Sequence, residues 1–166
     1  MTIQDLGDIG ELLAAIATIA TLVYLGVQVR QNTRALKSAT FQDIVAAMSS
    51  TTEAMSTHPE LALLIVKASK GLSGLTPEER VRYNFILVTT FRRLESVYVQ
   101  RQLGSIAPQH AEGFDRSALS ILTSGGGAEW WQLAKPVFST EFARHIDSQM
   151  ASGRIRGIHP GFGGPE

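Results

Sequence analysis

From Leu12 to Val29 the chain runs through eighteen residues without one charged side chain. A helix of that length rises about 27 Å, close to the roughly 30 Å hydrocarbon thickness of a bilayer. Such a segment is either a membrane span or a helix walled in by other protein on nearly all sides. Its flanks are asymmetric: Asp5, Asp8 and Glu11 precede it with no Lys or Arg, and Arg30, Arg34 and Lys37 follow at once. A secretory signal peptide has the reverse order, a basic start and then a cleavage site in a polar stretch, so this segment is expected to be retained. The positive-inside rule places the basic flank in the cytoplasm and the short acidic N-terminus across the membrane.

Insertion is close to balance. Nine Leu, Ile and Val residues favour it by about 3 to 5 kcal/mol on the translocon scale, and Thr18, Thr21, Tyr24, Gly26 and Gln28 oppose that gain. The polar members are themselves patterned. Glu11, Thr18, Thr21, Gln28 and Asn32 stand seven, three, seven and four residues apart, which aligns them in one helical seam with Ala14 and Leu25 in the gaps. Lipid penalises a polar seam, so it is expected to face another helix or water. With one such helix per chain the partner is a second copy, and homo-oligomerisation follows. A ring around a polar lumen, with Glu11, Thr18, Thr21 and Gln28 lining a channel, is the sharpest form of that reading. Threonine hydroxyls bonded back to their own backbone are the plain form.

The helical pattern continues beyond Lys37. Leu36, Phe41, Ile44, Val45, Met48 and Met55 recur at helical steps with no Gly or Pro before Pro59, which carries the first helix to about residue 56. A break near Asn32 and Thr33 is the alternative. Residues 57–153 read as a helical bundle and 154–166 as a flexible tail, rich in Gly and Pro, whose Phe162 is the candidate to dock on a partner.

Within the bundle, Pro59 opens a short helix over 60–70 with Leu61, Leu64, Ile65 and Ala68 inside, stopped by Gly71. Thr76, Pro77 and Glu79 spell an N-cap, a first-turn proline and a capping box. The helix they start runs to about Gln102 and is expected at the centre of the bundle, with Val81, Phe85, Val88, Phe91, Leu94 and Tyr98 as its apolar face, broadened by Leu87 and Val97. On it, Arg92 and Glu95 are three apart and can form a structural ion pair or touch a ligand. A fourth helix with Phe114, Ala118, Ile121 and Leu122 is expected to end on a flexible hinge at Gly125, Gly126 and Gly127. The adjacent Trp130 and Trp131 point about 100° apart on a helix, so at most one is expected deep in the core. Ser139 caps a last helix, with Phe142, Ile146 and Met150 four residues apart and Gly153 at its end.

Composition narrows function by exclusion. Lys+Arg and Asp+Glu balance at 15 each, so no global field draws the chain to nucleic acid. The chain has no cysteine, which excludes disulfides, thiolate metal sites and a cysteine nucleophile. Its four histidines are scattered and form neither His-Glu-x-x-His nor Glu-x-x-His. The triple glycine lacks the preceding strand and the Gly-Lys-Ser or Gly-Lys-Thr ending of a phosphate loop, and no Gly-x-Ser-x-Gly elbow is present. No cofactor, metal or catalytic residue is expected.

Three segments, GELLAAIATIATLVYLGVQVRQNTRALKSATFQ, FRRLESVYVQRQLG and GGAEWWQLAKPVFSTEFARHID, follow in this order over most of the chain. Together they resemble a family of small uncharacterised bacterial proteins with a hydrophobic N-terminal helix. The resemblance implies a membrane helix and no assigned activity. Its motif positions here are Gly10, Glu11, Tyr24, Gln28, Arg30, Gln31, Asn32, Arg92, Glu95, Gln100, Gly104, Trp130, Trp131, Phe138 and Phe142, expected to serve packing and assembly. The sequence as a whole points to an all-α protein with residues 1–37 as an anchor in the inner membrane of a bacterium, N-terminus outside, and a cytoplasmic bundle behind it. The function expected of it is that of a non-enzymatic assembly or interaction module whose partners are membrane lipid and its own copies. A small homo-oligomeric channel and a soluble helical ligand-binding protein are the alternatives.

Overall fold

Helix-favouring periodicity is carried through in full. The computed structural model describes residues 3–153, without the side chains of Asp5, Leu6 and Ala118. The expectations placed on Ala118 and on the tail from Arg154, Phe162 included, lie outside the described residues. The described residues form an all-α chain without strands: α1 Ile3–Thr57, α2 Pro59–Ser69, α3 Pro77–Gln102, α4 Pro108–Leu122, α5 Gly125–Ala134 and α6 Thr140–Ala151. Two compact units divide it, Met1–Thr40 and Phe41–Glu166. In the first, the helix runs unbroken past Asn32 and Thr33, and the Thr33 hydroxyl bonds to the Val29 carbonyl within it.

In the second unit the helix ends are set by local chemistry. At the start of α3 the Thr76 hydroxyl accepts from the Glu79 N–H and the Glu79 carboxylate accepts from the Thr76 N–H, with Pro77 in the first turn. The Lys67 ammonium, 2.6 Å from Glu79 Oε2, holds that carboxyl below its ordinary value and joins α2 to α3. Ser139 caps α6 by accepting from the Phe142 N–H. Gly104 and Gly153 adopt φ of 68° and 62° beyond α3 and α6, a left-handed conformation that disfavours side chains with a Cβ.

The core gathers on α3. Tyr83, Leu87, Phe91 and Leu94 meet Leu64 and Ala68 of α2, Leu119 and Leu122 of α4, both tryptophans of α5, and Phe142 and Ile146 of α6. Leu87, Phe91, Leu94 and Val97 of the expected face are buried, whereas at its N-terminal end Tyr83 takes the inside and Val81 and Phe85 are 55% and 63% exposed. Two apolar stripes overlap on α3, and the neighbouring helices pack on the one that includes Tyr83. Burial pushes the Tyr83 hydroxyl up to about 12, against the opposing effect of its hydrogen bond with Ser124. A smaller cluster joins Ile44 of α1 to Val97, Ile106 and Ala111. Arg93 of α3 also donates to the Ala47 carbonyl and the Thr51 hydroxyl of α1.

The glycine triplet is the first turn of α5, capped by the Ser124 hydroxyl, and not a hinge at the end of α4. A Cβ on Gly126 would lie 1.9 Å from the Ala68 carbonyl oxygen, and one on Gly127 would lie 2.1 Å from that of Ile121. The glycines are there because two helix C-termini press on this turn. That close approach also covers α5 on several sides, so both indoles are buried, Trp130 at 3% exposure and Trp131 at 0%. Their N–H groups are satisfied by Asn84 Oδ1 at 3.0 Å and Asp147 Oδ1 at 2.7 Å.

A paired substitution isolates this contact. Gly126→Ala should destabilise the bundle by about 3 kcal/mol or more, because backbone has to move. Gly113→Ala, inside α4 with open space around the new Cβ, should stabilise it by about 0.5 to 1 kcal/mol. Denaturant titration followed by the buried tryptophans reads both; equal effects would contradict the packing described for α5.

Candidate functional site

The first unit offers a surface in place of a cleft. Leu12, Ile16, Ile19 and Leu22 of α1 are each more than half exposed, and the most apolar window of the helix, with a mean hydropathy of 2.1, is 0% buried. Among the described residues, one helix is long and apolar enough to cross a membrane.

Around that helix, at 100° per residue, Glu11, Thr18, Thr21, Gln28 and Asn32 fall within an arc of about 100°. All five are exposed. The Thr18 and Thr21 hydroxyls donate to the Ala14 and Ala17 carbonyls at 2.9 and 2.8 Å, and Gln28 Nε2 lies 2.7 Å from the Tyr24 hydroxyl. The hydroxyls therefore lie flat against the helix and leave a shallow strip. Such a strip permits a neighbouring helix to approach closely, with the Gln28–Tyr24 pair as its most protruding polar feature.

In the second unit, Arg92 and Glu95 are brought together, and with them a third partner that spacing on one helix does not reveal. Arg92 Nη1 is 2.7 Å from Glu95 Oε2, while Arg92 Nη2 donates to the Val137 carbonyl and Glu95 Oε1 accepts from the Ser139 N–H, each at 2.7 Å. The guanidinium also lies 4.9 Å from the Phe138 ring centroid. The pair thus clasps the turn before α6 at its backbone. Burial of the Glu95 carboxyl favours its neutral form, but hydrogen bonds from Ser139 and the Arg92 charge outweigh it, and the group titrates below its ordinary 4.5.

One cluster has no counterpart in the sequence reading. Asp115 of α4, buried to 7% exposure, lies with Oδ2 3.1 Å from His145 Nε2 of α6 and 3.9 Å from Arg101 Nη1 of α3. The Tyr98 ring lies tilted against that of His145, with centroids 4.9 Å apart. Three helices supply it, so no local spacing signals it. A His–Asp pair can orient a base, yet the hydroxyl that reaches His145 is that of Ser148 and it donates to the backbone carbonyl, away from the ring, while the Arg101 guanidinium also lies against Asp115. Among the described residues no three His, Asp or Glu side chains converge to hold a metal. A shallow open groove between α1 and α4, lined by Met48, Thr52, Glu53 and Phe114 among others, holds no convergent set of charges.

Comparison with family models, with curated proteins and with solved structures yields no match.

The clasp predicts a pH signature. A carboxyl lowered on folding contributes stability that is complete above its unfolded value, near 4.5, and is lost as pH falls through the lower folded value. Glu95→Gln should therefore cost about 1 to 3 kcal/mol at neutral pH, and its deficit relative to wild type should shrink in acid. A deficit independent of pH in denaturant titrations would show that the charge at Glu95 contributes nothing.

Proposed function

We propose that this protein is a non-enzymatic, membrane-anchored assembly module that inserts through α1, self-associates along the seam of Glu11, Thr18, Thr21, Gln28 and Asn32, and carries its bundle in the cytoplasm. The carrying observation is the uncovered apolar window of α1. Soluble monomers rarely leave contiguous apolar patches beyond a few hundred Å² in water, and a helix of this length and exposure exceeds that. Acidic residues before it and basic residues after it support an N-terminus outside, and the resemblance to small bacterial proteins supports the inner membrane of a bacterium as the location.

The seam supports pairing more than conduction. The threonine hydroxyls in the middle of the seam are bonded to their own carbonyls, so the donors that would serve a lumen there are already engaged. Close helix packing makes no demand on them.

Two measurements test this. After alkaline carbonate extraction of expressing cells, the full chain should stay with the membranes; recovery in the supernatant would sink the anchor. In reconstituted vesicles, energy transfer between donor- and acceptor-labelled chains should report association. Replacing Thr18, Thr21 and Gln28 together by Leu, which fills the shallow strip, should weaken it about tenfold or more as close approach of the second helix is lost. Unchanged transfer would sink the seam.

A further inference from the structure

The side of α1 away from the seam carries its own pattern. At 100° per residue Ile16, Ile19 and Val23 lie within about 60° of Arg30, Arg34 and Lys37 around the helix axis, and this stripe is centred about 160° from the polar seam. All six side chains are exposed. Between Glu11 and Asp43 the three cations are the only charged residues in the chain. None of the ion pairs among the described residues involves them. From Arg30 to Lys37 the helix rises about 10 Å, somewhat more than the depth of one headgroup layer, and it does so directly after the apolar window ends.

We propose that Arg30, Arg34 and Lys37 form a binding site for the phosphate headgroup of an anionic phospholipid whose acyl chain lies along Ile16, Ile19 and Val23. The inference rests on the membrane reading of α1 and adds to it the class of lipid and the face that takes it. A lipid on this stripe leaves the opposite seam free for a second copy of the chain. Two arginines and a lysine at i, i+4 and i+7 point one way, so a single phosphodiester is within reach of at least two of them. Guanidinium groups suit its paired oxygens. Near an anionic leaflet each basic residue strengthens association about fivefold, and the attraction fades beyond a Debye length.

The test uses purified full-length protein in phosphatidylcholine vesicles containing a trace of spin-labelled phosphatidylglycerol or spin-labelled phosphatidylcholine, and reads the fraction of label held at the protein boundary. The wild-type chain should hold the anionic label about three to five times more strongly than the zwitterionic one, with the preference falling toward one at high salt. The triple variant R30Q/R34Q/K37Q should hold both labels equally while keeping the emission of its buried tryptophans, which shows that the bundle is intact. Equal retention of both labels by wild type would overturn the lipid site and leave the anchor standing. Retention of neither label would overturn the anchor and the site with it. Loss of the preference on adding millimolar inorganic phosphate at matched ionic strength would assign the cations to a free anion and overturn the lipid assignment.

Discussion

Apolar surface without cover is the constraint on which the rest of this structure depends. Nine Leu, Ile and Val side chains lie between Leu12 and Val29, and the apolar window that α1 presents there is wholly uncovered. Fully burying one such side chain is worth about 1.5 to 3 kcal/mol, and with each about half exposed the nine together, before the opposing cost of the polar residues among them, carry a driving force of the same order as the roughly 5 to 15 kcal/mol by which a domain is stable. That driving force has to be met by lipid, by other chains or by both. The arrangement around the helix suits both at once: a shallow polar strip on one side, and on the other aliphatic side chains that run into three cations.

The bundle is organised on separate terms. Phe91 sits at its centre, 5.1 and 5.4 Å from the rings of Trp130 and Trp131 and 6.3 Å from that of Phe138. Such contacts add about 0.5 to 1.5 kcal/mol each beyond the area they bury. What brings the tryptophans there is the absence of side chains at Gly126 and Gly127, which lets α5 press on the ends of α2 and α4. The Arg92–Glu95 clasp then fixes the turn before α6, so that Phe138 and Phe142 close over the same cluster. The hydrogen bonds of both indoles, of Arg93 and of the Arg92–Glu95 clasp join segments distant in the chain.

Local chemistry was legible in the sequence, and contacts between distant segments were not. The all-α class, the Thr76 capping box, the Ser139 cap and the stops at Gly71, Gly104 and Gly153 depend on residues within a few positions of one another, and they stand where the spacing put them. On α3 the expected face stands at Leu87, Phe91, Leu94 and Val97 and gives way at Val81 and Phe85, because burial is decided by which side the other helices take, and there they take Tyr83. The glycine triplet reads as a hinge from its composition alone; only the carbonyls of Ala68 and Ile121 show it to be a contact. The tryptophans were limited to one buried ring by treating α5 as a surface helix, although it is covered on several sides. Asp115, His145 and Arg101 come from three helices and leave no periodic trace.

The account stands or falls on whether α1 crosses a membrane. Because the chain contains no cysteine, single cysteines can be placed at Gln4, Ala20 and Ser49 and probed with a membrane-impermeant maleimide in cells with the outer membrane made permeable. The account predicts labelling of Q4C in intact inner membranes, labelling of S49C only after those membranes are opened, and protection of A20C in both conditions. Equal labelling of all three positions only after opening would place the helix in water on the cytoplasmic side and contradict the account.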